Sequence, residues 1–206
     1  MKIEINLKII LAIILFFLFD DISTYLIFII FIIIHEFAHL IVGIALGGKP
    51  KSININPFGL SLDFYSYGKD NFFCRILFYF SGPLINLLIF LISANFYKSN
   101  SYKIEIIYTN LALFLFNLLP ILPLDGGKIL KEVLKEIIGI EKSNRFMIIF
   151  SKTTLVIISF IYSIVIIKIK NIMFLFLLVY LWYLYFIEEK KYYIYKKVKE
   201  SIRELI

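Results

Sequence analysis

Long apolar runs separated by short polar breaks set the pattern of this chain. The runs cover about residues 9–19, 22–46, 72–96, 104–122, 146–167 and 172–187. About 20 mostly apolar residues are needed for a helix to cross a hydrocarbon core roughly 30 Å thick, so the pattern predicts six transmembrane helices, the first one short. Lys8 can snorkel from that first helix to the interface. Phe19-Asp20-Asp21-Ile22 offers no small-residue cleavage site, so the first run is expected to stay as a helix. Asp21 or Ser23 can cap the second. After the second run the period changes. Ser52–Asn56 alternates polar and apolar, Pro57-Phe58-Gly59 turns, and Leu60–Phe64 alternates again, which predicts a β-hairpin. Lys128–Ile138 has helical spacing of Ile129, Leu130, Val133, Leu134, Ile137 and Ile138 and predicts an amphipathic helix on the membrane surface. Glu188–Ile206 is a charged, helix-prone tail. The fold expected is an all-α polytopic membrane protein with six transmembrane helices and a small β-hairpin between the second and third. Residues 1–187 would form one membrane domain and 188–206 a cytoplasmic tail.

Composition supports the membrane reading. Of the 206 residues, 61% are hydrophobic, above the roughly 45–50% of a soluble domain. The single Cys74 excludes an internal disulfide and a cysteine metal cluster. The net charge of +7 does not point to nucleic acid, because the cations follow membrane topology and no nucleic-acid motif accompanies them. With six crossings, seventeen Lys and Arg residues fall on the side of the termini and four on the other, which predicts cytoplasmic termini. Heavy use of Ile, Lys and Asn points to an AT-rich bacterial genome, and so to a bacterial cell membrane.

One polar cluster interrupts the second run. Phe31-Ile32-Ile33-Ile34-His35-Glu36-Phe37-Ala38-His39-Leu40 holds the only two histidines of the protein. Between Ile22 and Leu62 the only carboxylate is Glu36. An ionisable group at this depth costs about 2.5–3.5 kcal/mol on insertion scales, so three together call for a compensating role. Four residues apart on a helix, the two imidazoles share a face and can reach one metal ion. Glu36 lies beside that face, placed to take a proton from the attacking water. This is the H-E-x-x-H arrangement of zinc hydrolases. A polar cluster that glues two helices together is the plainer alternative.

A catalytic zinc typically has three protein ligands. Two prolines and two glycines in Asn117-Leu118-Leu119-Pro120-Ile121-Leu122-Pro123-Leu124-Asp125-Gly126-Gly127 break the fourth run and present Asp125 on an irregular turn. Topology brings Asp125 to the depth and side of the histidines, and Asp63 in the hairpin is the runner-up. Asn86 or Asn117 can donate a hydrogen bond to a developing oxyanion. The hairpin is either a surface feature or an edge strand that pairs with an unwound substrate, with Pro57, Phe58 and Gly59 as substrate contacts.

Three stretches together resemble the site-2 protease family of intramembrane zinc metalloproteases. They are His35-Glu36-Phe37-Ala38-His39, Ser81-Gly82-Pro83-Leu84-Ile85-Asn86, and Asn117 through Asp125-Gly126-Gly127. With Pro57-Phe58-Gly59 the resemblance covers about residues 25–130. It implies one zinc ion per chain held by His35, His39 and Asp125, Glu36 as catalytic base, and Asn117 at the substrate or transition state. It also implies a membrane-associated protein substrate in the lipid bilayer and an inhibitory membrane partner. The layout is most similar to the sporulation branch, stage IV sporulation protein FB-like, whose members release a sigma factor from its membrane-associated pro-sequence. Some members of that branch carry a C-terminal nucleotide-binding CBS domain. Here only the charged tail follows the sixth run, so neither a CBS nor a PDZ domain is expected. The alternative is a non-proteolytic metal-binding membrane protein or transporter, which would need a polar series along the outer halves of the helices.

Overall fold

The computed structural model describes residues 2–5, 22–56, 59–66, 71–96, 101–169 and 173–204. They fall into two compact units, Met1–Leu118 and Leu119–Ile206. The expected first helix over 9–19 lies outside the described residues.

The first unit holds three helices and a small sheet. Helix α1 spans Ile22–Ala45 and ends at Gly47, whose φ of 84° only glycine adopts freely. Strand β1 is Lys2–Ile5, β2 is Lys49–Asn56 and β3 is Gly59–Ser66. The sheet order is β1-β2-β3. β2 and β3 run antiparallel, with Ile53 opposite Leu62, Ile55 opposite Leu60 and Asn56 opposite Gly59. β1 joins β2 in parallel, Ile3 opposite Ile53. This strand lies in a stretch that apolar periodicity assigns to no strand, since only four residues pair. Helix α2 spans Phe72–Phe96 with Pro83 inside it, and α3 spans Ser101–Asn117. α1 packs on α2, α3 and β3, and α2 packs on α3.

The sequence extends the fourth run to residue 122, but α3 stops at Asn117. Pro120 disfavours helical backbone at Leu119 and has no N–H to continue the ladder. The chain instead turns through Ile121, whose N–H donates to the Leu119 carbonyl.

In the second unit, α4 spans Asp125–Ile138, α5 Ile140–Ile169 and α6 Met173–Glu204. α4 packs on α5, and α5 on α6. Gly139, at φ 80°, separates α4 from α5. α5 begins six residues before the expected fifth run, because its polar first turns remain helical. The sixth run and the tail form one helix, since no glycine or proline interrupts 173–204. α4 departs from a simple surface helix. It buries Asp125, Gly126, Gly127 and Glu132, while Ile137 is 72% exposed. Buried Glu132 is paired with Lys135, which offsets the cost of burying its charge.

The polarity of the long helices is reversed relative to a soluble protein. In α1 the exposed residues include Leu26, Ile30, Ile33, Phe37, Ile41 and Ile44, one stripe at helical spacing, while His35 and His39 are buried. In α2 Ser81, Asn86 and Ser93 are buried while Phe73, Leu88 and Ile92 are exposed. In α5 Ser143 and Ser151 are buried while Val156, Phe160 and Ile164 are exposed. Among the described residues three helices are long and apolar enough to cross a membrane: Ser23–Ala45, Phe72–Asn95 and Ile140–Ile164. An apolar outside is what a bilayer stabilises and water does not.

Candidate metal centre

The first unit assembles its site from α1 and α2. His35 and His39 are 3% and 5% exposed, one helical turn apart, with their Nε2 atoms 3.3 Å from each other. The backbone and side chains of α2 hold both rings from behind. His39 Nδ1 lies 2.7 Å from the Phe78 carbonyl oxygen and 3.1 Å from Ser81 Oγ. A carbonyl only accepts, so Nδ1 carries the proton and Nε2 carries the lone pair. Ser81 Oγ also donates to the Phe78 carbonyl at 2.7 Å, which fixes the oxygen that fixes the ring.

His35 is held by Asn86, which is wholly buried. The Asn86 Nδ2 lies 3.0 Å from His35 Nδ1, and the Asn86 Oδ1 is buried without a hydrogen-bond partner. The two ends of an amide are interchangeable in such an assignment. With the amide turned over, Oδ1 accepts from His35 Nδ1–H, and the lone pair of His35 falls on Nε2. That orientation satisfies the orphaned oxygen and gives both histidines the same tautomer.

Gly82 completes the pocket. A Cβ added there would lie 2.4 Å from His39 Nε2 and 2.5 Å from His35 Nε2. The backbone of α2 therefore passes directly beside the space in front of both nitrogens, and any side chain would fill it. A tetrahedral zinc with bonds to nitrogen of about 2.0–2.1 Å holds two such ligands about 3.3 Å apart. The spacing of the two nitrogens and the missing side chain at Gly82 fit a metal ion of this kind. Glu36 sits half-buried on α1 next to His35.

The second unit shapes the turn that carries Asp125. Leu122 N–H donates to Ser151 Oγ of α5 at 3.0 Å, and Leu124 N–H donates to the Ile121 carbonyl at 2.8 Å. Ile121 is fully buried. A Cβ on Gly127 would meet the Ile121 carbonyl oxygen at 2.4 Å, so only glycine lets the first turn of α4 close onto this loop. Asp125 is the first residue of α4 and is 4% exposed, with Lys128 Nζ 3.2 Å from its Oδ1. The helix start favours a carboxylate there.

The other expected residues fall differently. The Asn117 side chain donates to the Leu113 carbonyl of its own helix at 3.0 Å. Gly59 opens β3 opposite Asn56, while Pro57 and Phe58 lie outside the described residues. Asp63 pairs in register with Ser52. Sequence reasoning gave no role to Ser81, to the Phe78 carbonyl or to the space at Gly82. The signal there was the stretch Ser81 to Asn86 inside an apolar run, which the sequence offered as one of the three stretches that carry the family resemblance.

A metal site of paired histidines with an adjoining glutamate, set between membrane-type helices, defines a membrane-embedded metallopeptidase class. The description of peptidase M50B-like proteins matches residues 8–122, and that of peptidase family M50 matches residues 97–161. The chain belongs to the M50 peptidases, within the site-2 protease family. Over 121 residues it is 31% identical to a zinc metalloprotease of Methanocaldococcus jannaschii, covering 55% of this chain and 35% of that protein. Over 119 residues it is 25% identical to stage IV sporulation protein FB of Bacillus subtilis, covering 55% of this chain and 41% of the relative. The chain thus spans well under half the length of these curated relatives. In fold it is similar to the solved site-2 protease from Methanocaldococcus jannaschii, with a TM-score of 0.65, 23% identity, and coverage of 91% of this chain and 89% of that one.

Proposed function

We propose that the chain is an intramembrane zinc metalloprotease that hydrolyses a peptide bond of a membrane-associated protein near the cytoplasmic face. The observation that carries this reading is the pair of Nε2 atoms 3.3 Å apart against the open backbone of Gly82. In this reading His35, His39 and Asp125 form the donor set, two imidazoles and a carboxylate. The burial of all three supports it, since buried ligands hold a cation away from competing water. When bound, zinc supplies Lewis acidity that acidifies water and polarises a carbonyl. Glu36 takes the proton from the attacking water and delivers one to the leaving amine. Asn86, first considered as a substrate contact, acts through His35 as a positioning residue. Asn117 serves the substrate once its amide leaves the Leu113 carbonyl.

β3 has one paired neighbour among the described residues, which supports an extended substrate strand adding to its other edge beside Gly59. Residues 1–187 act as the membrane protease domain of six helices with the hairpin between the second and third. Residues 188–206 act as a cytoplasmic tail in a bacterial cell membrane. The likeness to a sporulation protein supports a sigma-factor precursor as substrate, and an inhibitory membrane partner would then restrain the enzyme.

The test is co-expression with tethered candidate substrates. Glu36→Gln should retain bound zinc and lose cleavage by at least a hundredfold. Asp125→Asn should lose zinc. Undiminished cleavage by Glu36→Gln would refute the proteolytic assignment and favour a metal-binding membrane protein or transporter.

A further inference from the structure

A cavity of about 570 Å³ lies wholly within the unit Leu119–Ile206, where the first turns of α5 meet the distal half of α6. It belongs to no part of the metal centre. Lys142 and Arg145 of α5 and Lys196 and Lys199 of α6 bring four cations to its wall, against two carboxylates. Both carboxylates are already committed. Glu141 pairs with Lys199, and Glu200 lies 3.7 Å from Lys196 one turn away on the same helix. Among the described residues Lys142 and Arg145 have no carboxylate partner. They stand three apart, on one face of α5.

A third group points the same way. Asn144 of α5 also lines the cavity, and its Oδ1 is buried without a hydrogen-bond partner. The amide can present either end to a ligand. Tyr192 and Tyr195 add hydroxyl groups from α6. The wall then changes character along α5. Ile148 and Ile149 continue the lining, and Ile149 is 55% exposed. These residues lie in the candidate membrane span Ile140–Ile164, so the cavity is at the end of a helix of membrane-crossing length. A soluble anion would use the cations and leave the isoleucines bare. An anionic phospholipid uses both, with phosphate at the charged rim and acyl chain on the apolar wall.

We propose that this cavity binds the phosphate of an anionic membrane lipid. Lys142 and Arg145 hold the phosphate oxygens, Asn144 and the tyrosines serve the glycerol and ester oxygens, and Ile148 and Ile149 receive the first methylenes. The site shares no residue with the peptide-cleaving machinery, and its test reads lipid rather than cleavage.

The full chain, purified in mild detergent, would be presented with equimolar phosphatidylglycerol and phosphatidylcholine, and the retained lipid read by native mass spectrometry. Wild type should retain phosphatidylglycerol over phosphatidylcholine by about tenfold. Lys142→Gln with Arg145→Gln should bring the ratio close to one. Lys190→Gln with Lys197→Gln removes the same charge from α6 outside the cavity and should leave the preference intact. Arg145→Lys alone, which keeps the charge, should retain most of it, and circular dichroism should show unchanged helix in every variant. Equal retention by wild type and the cavity double variant overturns the proposal. So does an equal drop in both double variants, which would reduce the effect to net charge. Displacement of the lipid by millimolar inorganic phosphate would assign the cavity to a soluble anion and also overturn it.

Discussion

Gly82 shows how much a missing side chain can decide. Helix propensity alone says that Gly82→Ala stabilises α2 by about 1 kcal/mol. The site says otherwise, because the new Cβ would stand 2.4–2.5 Å from both histidine Nε2 atoms. We expect the variant to keep its helix content while zinc content falls at least tenfold, measured by metal analysis of the purified protein. Unchanged zinc would mean that the metal lies elsewhere. The shared face of His35 and His39 was legible from spacing alone, because helical geometry brings residues four apart to one side. The partners of the two rings were not. Which helix delivers the Phe78 carbonyl, Ser81 and Asn86 depends on packing between elements, and periodicity along one helix carries no information about its neighbour.

At the scale of elements, apolar runs announced the helices but not their ends. α3 stops at Asn117 because Pro120 ends the ladder, while α5 starts early and α6 runs on because polar residues propagate a helix as well as apolar ones do. The four paired residues of β1 were invisible to pattern, since a strand that short has too few alternations to count. α4 was legible as amphipathic but not as a helix that hides charge. Burial lowers the Lys131 pKa from its ordinary 10.5, with Lys135 and Lys191 adding to the shift and Glu188 and Glu132 opposing it. The unfolded chain therefore holds the Lys131 proton more firmly. Stability contributed here is lowest below the depressed value and rises with pH up to about 10.5. Thermal unfolding in detergent between pH 7 and pH 10 should show this rise, and Lys131→Met should flatten it and raise the midpoint at pH 7. A variant with the wild-type slope would show that other groups control it.

For the whole molecule, the distribution of cations predicts orientation. If the chain crosses six times, seventeen basic residues fall on the side of the termini against four on the other, and the expected outcome is that both termini are cytoplasmic. Single cysteines introduced at Lys2 and Lys199 in a Cys74→Ser background should resist a membrane-impermeant thiol reagent in intact cells and react after lysis. Labelling in intact cells would invert the assignment. The inside-out polarity of the helices has a further consequence. Lipid asks only for apolarity, so on the outward stripe of α1 isoleucine, leucine, valine and phenylalanine are close to equivalent. Inward, Gly82 and Asn86 admit no such exchange. The outer face is thus free to drift with the codon usage of its genome, and its isoleucines say more about nucleotide supply than about chemistry.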